Sequence, residues 1–126
     1  MRYVELPEEM RVTVARVGRE THVATVTGEL DLAVAADLRE RLWPFAQEDT
    51  RTLIVDLSGV TFVDSTSLGA IAATAQQLRS HGGELVVATD DPRLRHLLEI
   101  TGLLGVLRLE QTLAAAVGGA VDGRGR

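Results

Sequence analysis

Two continuous apolar runs limit the possible folds of this chain more than any other sequence feature. They are residues 52–57, TLIVDL, and residues 84–88, ELVVA. Neither run alternates between apolar and polar residues. Strands that are covered on both faces show this pattern, and parallel sheets produce such strands. We therefore expect residues 53–57 and 85–88 to form parallel central strands of one sheet.

Two alternating segments precede these runs. They are residues 11–18, RVTVARVG, and residues 21–28, THVATVTG. Period-two alternation is typical of strands with one buried face. Gly18 begins the short connection GRE, which favours a hairpin turn. The sequence thus predicts an N-terminal antiparallel pair, with residues 12–17 at an edge of the sheet.

Helical patterns lie between and after the buried strands. Three apolar stripes carry them: Val34, Leu38, Leu42 and Phe45 in the first, Leu68, Ile71, Ala72, Ala75 and Leu78 in the second, and Leu94, Leu97 and Leu98 in the third. We expect Asp31 to cap the first helix and Pro44 to end or bend it. A weaker helical pattern, QTLAAAVGGAV, follows a short last strand.

The predicted order of elements is ββαβαβαβα. Alternating strands and helices produce parallel strands with right-handed crossovers. The fold class is therefore α/β, with a mixed, mostly parallel central sheet, N-terminal antiparallel strands and about four α-helices. A length of 126 residues suits one compact domain, which we place at residues 1–121. Residues 122–126, DGRGR, are expected to form a disordered tail.

Composition excludes several classes of function. The formal net charge of -5 argues against a nucleic-acid partner, which usually requires a basic face. The chain has no cysteine, and its three histidines lack metal-ligand spacing, so we expect no metal or other cofactor. No apolar run approaches the roughly 18 residues of a membrane span, and the N-terminus lacks a signal-peptide core. We expect a cytoplasmic protein without a membrane partner.

A cluster of hydroxyls stands where a buried strand should pass into the second helix. Asp64 is followed by Ser65, Thr66 and Ser67 in the segment VTFVDSTSLGAI. One side chain is enough to cap a helix, so some of these hydroxyls are expected to face solvent. Sites in parallel sheets form where strands end and helices begin. Asp31 stands at a similar junction, so we expect it to share one end of the molecule with Ser65.

Three chemical interpretations of the cluster compete. Helix capping explains one residue. A nucleophilic serine would require a G-x-S-x-G turn, and no glycine precedes Ser65. Phosphorylation fits better, because a phosphate at a helix start is favoured by the helix dipole and by free N–H groups.

Four segments of the chain resemble the STAS domain family of anti-sigma factor antagonists. They are TGELDLAVAADLRERL, VDLSGVTFVDSTSLGAI, HGGELVVA and PRLRHLLEITGL. The resemblance runs from about Arg11 to Val121 and implies the STAS fold. It also implies a non-enzymatic protein that binds a cognate anti-sigma factor, often itself a serine kinase, and thereby releases a sigma factor for transcription. Phosphorylation would dissociate that complex, and a phosphatase would restore it.

The resemblance also implies roles for individual residues. Ser65 corresponds to the phosphoacceptor, with Thr66 and Ser67 as possible secondary acceptors. The partner-facing residues would be Glu29, Asp31, Asp64, Ser65, Thr66 and Ser67. The family usually has glycine where this chain has Ser67, and the added side chain stands close to the acceptor.

Two other functions remain open at this point. A STAS module can also serve as a subunit of a transporter or of a larger signalling assembly, without a phospho-switch. In that case Ser65 would be a cap or a contact residue. A serine-dependent hydrolase would need a histidine base, from His22, His81 or His96, near Ser65 in space.

Overall fold

The computed structural model describes residues 9–47 and 49–121, so the predicted tail at 122–126 lies outside the described residues. The strands are β1 (Arg11–Arg16), β2 (Thr21–Leu30), β3 (Thr52–Val63), β4 (Glu84–Ala88) and β5 (Arg108–Glu110). The α-helices are α1 (Ala35–Leu42), α2 (Ser65–Arg79), α3 (Pro92–Ile100) and α4 (Leu113–Val121), and short 3-10 turns span Trp43–Ala46 and Leu103–Gly105.

The five strands form one mixed sheet in the order β1-β2-β3-β4-β5. The β1 and β2 strands are antiparallel, whereas each later neighbouring pair is parallel. The predicted fold class is confirmed, and β1 lies at the edge, as expected. Gly18, at the turn between the first two strands, has a φ of 79°, which glycine adopts without strain.

Helices cover both faces of the central strands. Leu53 and Val55 of β3 point into a large apolar core that includes side chains from α1, α2 and α3. Ile54, between them, points to the other face and packs in a second cluster with Ala116 of α4. Alternate side chains of β3 are therefore buried on opposite faces, which explains the absence of alternation in its sequence.

The β3 strand is longer than its apolar run predicts. It pairs with β4 only over Thr52–Asp56, but it continues along β2 as far as Val63. Irregularities in the β2–β3 register, next to Thr27 and Glu29, accompany this extension. The strand therefore ends directly before the hydroxyl cluster, rather than six residues earlier.

The expected cap of α1 by Asp31 is wrong. The helix begins after Val34, whose side chain makes no capping hydrogen bond. The carboxylate of Asp31 instead accepts a hydrogen bond of 3.0 Å from the amide of Ala33, and its carbonyl accepts one of 3.1 Å from the amide of Val34. Asp31 therefore closes a separate turn before the helix, as short acidic side chains often do. The other expectation for this helix is confirmed, because α1 ends at Leu42, before Pro44.

Candidate functional site

The site lies at the end of the sheet where β2 and β3 stop and α2 begins. The amide of Asp64 donates a 3.0 Å hydrogen bond to the carbonyl oxygen of Leu30, the last residue of β2. The hydroxyl of Ser67 donates a 3.2 Å hydrogen bond to the carbonyl oxygen of Asp31. The expectation that the segments around Asp31 and Ser65 share one end of the molecule is confirmed.

Asp64 is the cap of α2. Its backbone is extended, with φ of -107° and ψ of 173°, and its Oδ1 accepts a 2.9 Å hydrogen bond from the amide of Ser67. This is the usual geometry of an N-cap, in which the side chain satisfies one unpaired amide of the first turn. Because Asp64 provides the cap, the hydroxyls that follow it are not needed for capping.

The three hydroxyls occupy different environments. Ser65 and Thr66, the first two residues of the helix, are exposed. Ser67 is fully buried, because the third residue of the helix turns toward the loop that follows β2. This position does not fit the expectation that Ser67 contacts a partner or accepts a phosphate. Its hydroxyl instead joins the start of α2 to that loop.

The acidic residues of the site are half-buried. Glu29 lies beside Phe62 in the β2–β3 register, and Asp31 forms the turn before α1. Both leave part of their surface accessible on the same end of the sheet as Ser65. A phosphate added to Ser65 would therefore share this end of the sheet with the carboxyl groups of Glu29 and Asp31.

Two apolar residues of this end were not predicted as site residues. Leu32 is 70% exposed and Phe62 is 50% exposed. Large apolar side chains with this exposure are common at protein interfaces when they lie in one region. The sequence does not indicate the exposure of either residue, because Leu32 comes only two residues after the buried strand β2 and Phe62 lies between the apolar residues Val60 and Val63. Their exposure follows from the turn at Asp31 and from the extension of β3.

Two of the three histidines make their contacts away from Ser65. The Nδ1 of His22 lies 3.4 Å from the hydroxyl of Thr50, and the Nε2 of His81 lies 2.8 Å from the carbonyl oxygen of Ala46. Thr50 and Ala46 precede β3, at the opposite end of that strand from Ser65. His96 is exposed on α3. Within the described ranges, no three His, Asp or Glu side chains are grouped as metal ligands would be.

Comparisons with known proteins agree with this architecture. The sequence profile of the STAS domain matches residues 13–116. The chain is 36% identical over 86 residues to the anti-sigma-B factor antagonist of Staphylococcus aureus, a match that covers 68% of this chain and 80% of that protein. The chain belongs to the STAS domain family of anti-sigma factor antagonists.

Solved structures extend the similarity over almost the whole chain. An anti-sigma factor antagonist from Mycobacterium paratuberculosis superposes with a TM-score of 0.80 at 28% identity, covering 92% of this chain and 97% of the other. The phosphorylated form of the Bacillus cell fate determinant SpoIIAA superposes with a TM-score of 0.69 at 22% identity, covering 87% and 99%. At that identity the second match shows a common STAS fold. None of the helices in the described part of this STAS protein has the length and apolar character that crossing a bilayer requires.

Proposed function

We propose that this STAS protein binds a cognate anti-sigma factor and so releases a sigma factor for transcription. The family supports the type of partner, and the exposed hydroxyl of Ser65 is the observation that supports the regulation. Ser65 follows the capping residue directly but is not needed for capping, since the side chain of Asp64 accepts the capping hydrogen bond. The proposed contact surface contains Glu29, Asp31, Asp64, Ser65 and Thr66, together with the exposed Leu32.

The proposed switch is phosphorylation of Ser65 by the anti-sigma factor or by another serine kinase. A phosphate would add about 1.5 to 2 negative charges at pH 7, on a chain whose formal net charge is already -5. At an exposed helix start the helix dipole stabilises such a charge by about 0.3 to 1 kcal/mol, and repulsion from Asp64 offsets part of this. The fold should therefore tolerate the phosphate, while a partner surface shaped for a hydroxyl should not. A phosphatase would reverse the switch.

We further propose that the protein acts in the cytoplasm by binding and not by catalysis. Support for a function without catalysis comes from His22 and His81, whose rings contact residues at the far end of β3 from Ser65. A serine nucleophile usually depends on a base within hydrogen-bond reach. Turnover of an ester probe that is lost in Ser65→Ala would contradict this part of the proposal.

The proposal is tested with Ser65→Ala and Ser65→Asp in the full chain. The wild-type protein is first used to retain its partner from lysate of the source cells, and the partner is then purified. Ser65→Ala should bind it nearly as well as wild type, whereas Ser65→Asp should bind it about a hundredfold more weakly, a loss of about 2.7 kcal/mol. Thr13→Asp is the matched control, since it adds the same charge at an exposed hydroxyl on β1, outside the proposed contact surface, and should leave affinity within about twofold.

Intact mass after incubation with the partner and ATP identifies the acceptor. One phosphate should appear on the wild-type protein and on Thr66→Ala, and none on Ser65→Ala. If Ser65→Asp binds as tightly as wild type, charge at Ser65 does not release the partner and the switch is wrong. Retention of a membrane transporter in place of an anti-sigma factor would favour the transporter-subunit alternative.

A further inference from the structure

A groove lies beside the proposed contact surface, between the end of β3 and the start of α3. Its volume is about 170 Å³, and it is lined by Val60, Thr61, Phe62, Val63, Asp91, Arg93, Leu94 and Leu97. Small-molecule sites usually begin at about 300 Å³, so this groove is too small for a cofactor. Its size suits one or two amino-acid side chains.

One wall of the groove is an open strand edge. β4 stops at Ala88, opposite Asp56, whereas β3 runs on to Val63 along β2. Beyond Asp56, β3 therefore has no strand partner on its β4 side among the described residues. Open edges offer unpaired N–H and C=O groups to another extended chain.

The direction of one amide on this edge follows from the hydrogen bond of its neighbour. The amide of Asp64 points to β2, because it donates to the carbonyl oxygen of Leu30. Backbone groups of successive residues in an extended strand point to opposite sides. The amide of Val63 is therefore directed away from β2, toward the groove that Val63 lines.

The remaining walls offer apolar surface and one exposed cation. Phe62 is 50% exposed at the groove, and Leu94 and Leu97 of α3 form the facing side. The side chain of Arg93 is 88% exposed at the rim and lies 3.5 Å from the carboxylate of Asp91. That carboxylate already accepts a 2.9 Å hydrogen bond from the amide of Arg93, which lowers the pKa of Asp91 and keeps it ionised.

We infer that the groove binds an extended segment of the partner protein, which adds a strand to the open edge of β3. Strand addition takes its affinity from main-chain hydrogen bonds and its specificity from pockets for alternate side chains. The segment inserts an apolar side chain between Phe62 and Leu94, and an acidic residue next to it pairs with the Nη groups of Arg93, whose Nε faces Asp91. The groove is continuous with the proposed contact surface, because Val63 and Ser65 flank the capping residue Asp64. This inference rests on the proposed function, since the partner is the anti-sigma factor.

The first test is amide hydrogen exchange of Val63 in the full chain, alone and with the purified anti-sigma factor. In the free chain the Val63 amide should exchange fast, and on binding it should slow by at least about tenfold, as expected for an amide that gains a strand partner. An unchanged rate in a saturated complex would overturn the inference. Slow exchange in the free chain would also overturn it, because the occupant would then be another part of this chain or, if the rate depends on concentration, a second copy.

The second test is truncation of the groove. Phe62→Ala should weaken binding of the anti-sigma factor by about tenfold or more. Ile100→Ala is the matched control, since Ile100 is 66% exposed at the other end of α3, and it should leave affinity within about twofold. Arg93→Glu should weaken binding by about fivefold to tenfold. Arg19→Glu makes the same change of charge at an exposed position in the turn between β1 and β2, at the opposite end of the sheet from Ser65, and should not weaken binding. Equal effects of each variant and its control would refute the groove as the binding site.

These outcomes separate this inference from the proposed switch. If the groove variants weaken binding while Ser65→Asp does not, the strand addition holds and the phospho-switch fails. If Ser65→Asp weakens binding while Phe62→Ala, Arg93→Glu and the Val63 amide show no effect, the switch holds and the groove is not used.

Discussion

Replacement of Gly28 by alanine should destabilise the fold more than the same change at any open glycine. Gly28 lies in β2 with a φ of +98°, a conformation that costs an L-residue about 1 to 2 kcal/mol. A Cβ there would also lie 2.7 Å from the carbonyl carbon of Glu9 and 3.0 Å from the Cα of Met10. Both neighbours are backbone atoms, so the chain entering β1 would have to move away from β2. Such overpacking costs about 1 to 3 kcal/mol, which gives a total of about 2 to 5 kcal/mol.

Gly82→Ala separates the two contributions. Gly82 has a similar φ of +89°, but no atom lies within 4 Å of its added Cβ. Gly82→Ala should therefore lower the free energy of unfolding only by the cost of the backbone conformation, about 1 to 2 kcal/mol. The assay is urea denaturation of both variants and wild type at one temperature. The dependence of the free energy of unfolding on urea concentration is compared among them to detect changes in the unfolded state. Equal losses for the two variants would refute the role of the contact between Gly28 and the segment before β1.

Two further predictions concern the core and the pH dependence. Ile71→Ala should lower the free energy of unfolding by about 2 to 5 kcal/mol, because Ile71 is fully buried in α2. Gln76 is exposed on the same helix, so Gln76→Ala should change the free energy of unfolding by less than about 0.5 kcal/mol in the same urea assay. Similar losses for the two variants would contradict the packing of α2. Burial raises the pKa of Glu84 above its ordinary value of 4.5, and the attraction of Arg108 opposes this shift. The carboxyl group of Glu84 is therefore protonated at higher pH in the folded state than in the unfolded state. The contribution of Glu84 to stability should then fall as pH rises from 4.5 through the raised pKa and stay constant above it, and Glu84→Gln should remove that slope; identical pH profiles for the two proteins would disprove it.

The sequence predicts most of the fold because burial leaves a direct pattern. Residues 53–57 lack alternation since both faces of β3 are covered, and this alone indicates a parallel central strand. The extension of β3 to Val63 was not predictable in the same way. It depends on irregularities in the pairing with β2, and such register is set by contacts that are distant in sequence.

The candidate site was predicted less completely than the fold. Asp64 and Ser65 follow from local helix chemistry, since a cap and the first residue of a helix have fixed positions. The burial of Ser67 was also detectable, because Ser67, Ile71 and Leu78 lie on one face of α2 at helical spacing. The groove was not detectable, because it forms between β3 and α3, which are about thirty residues apart.

The two hydrogen bonds of Asp64 fix the position of Ser65, the phosphoacceptor that we propose. The amide of Asp64 ties the backbone to β2, and its carboxylate ties the same residue to the first turn of α2. A kinase acting on Ser65, as we propose, would therefore meet a folded surface and not a flexible linear motif. Recognition must then depend on three-dimensional shape. A cell with several such proteins could then keep each kinase specific for its own substrate. The surfaces around the serine would differ even where the short segment that contains it is the same.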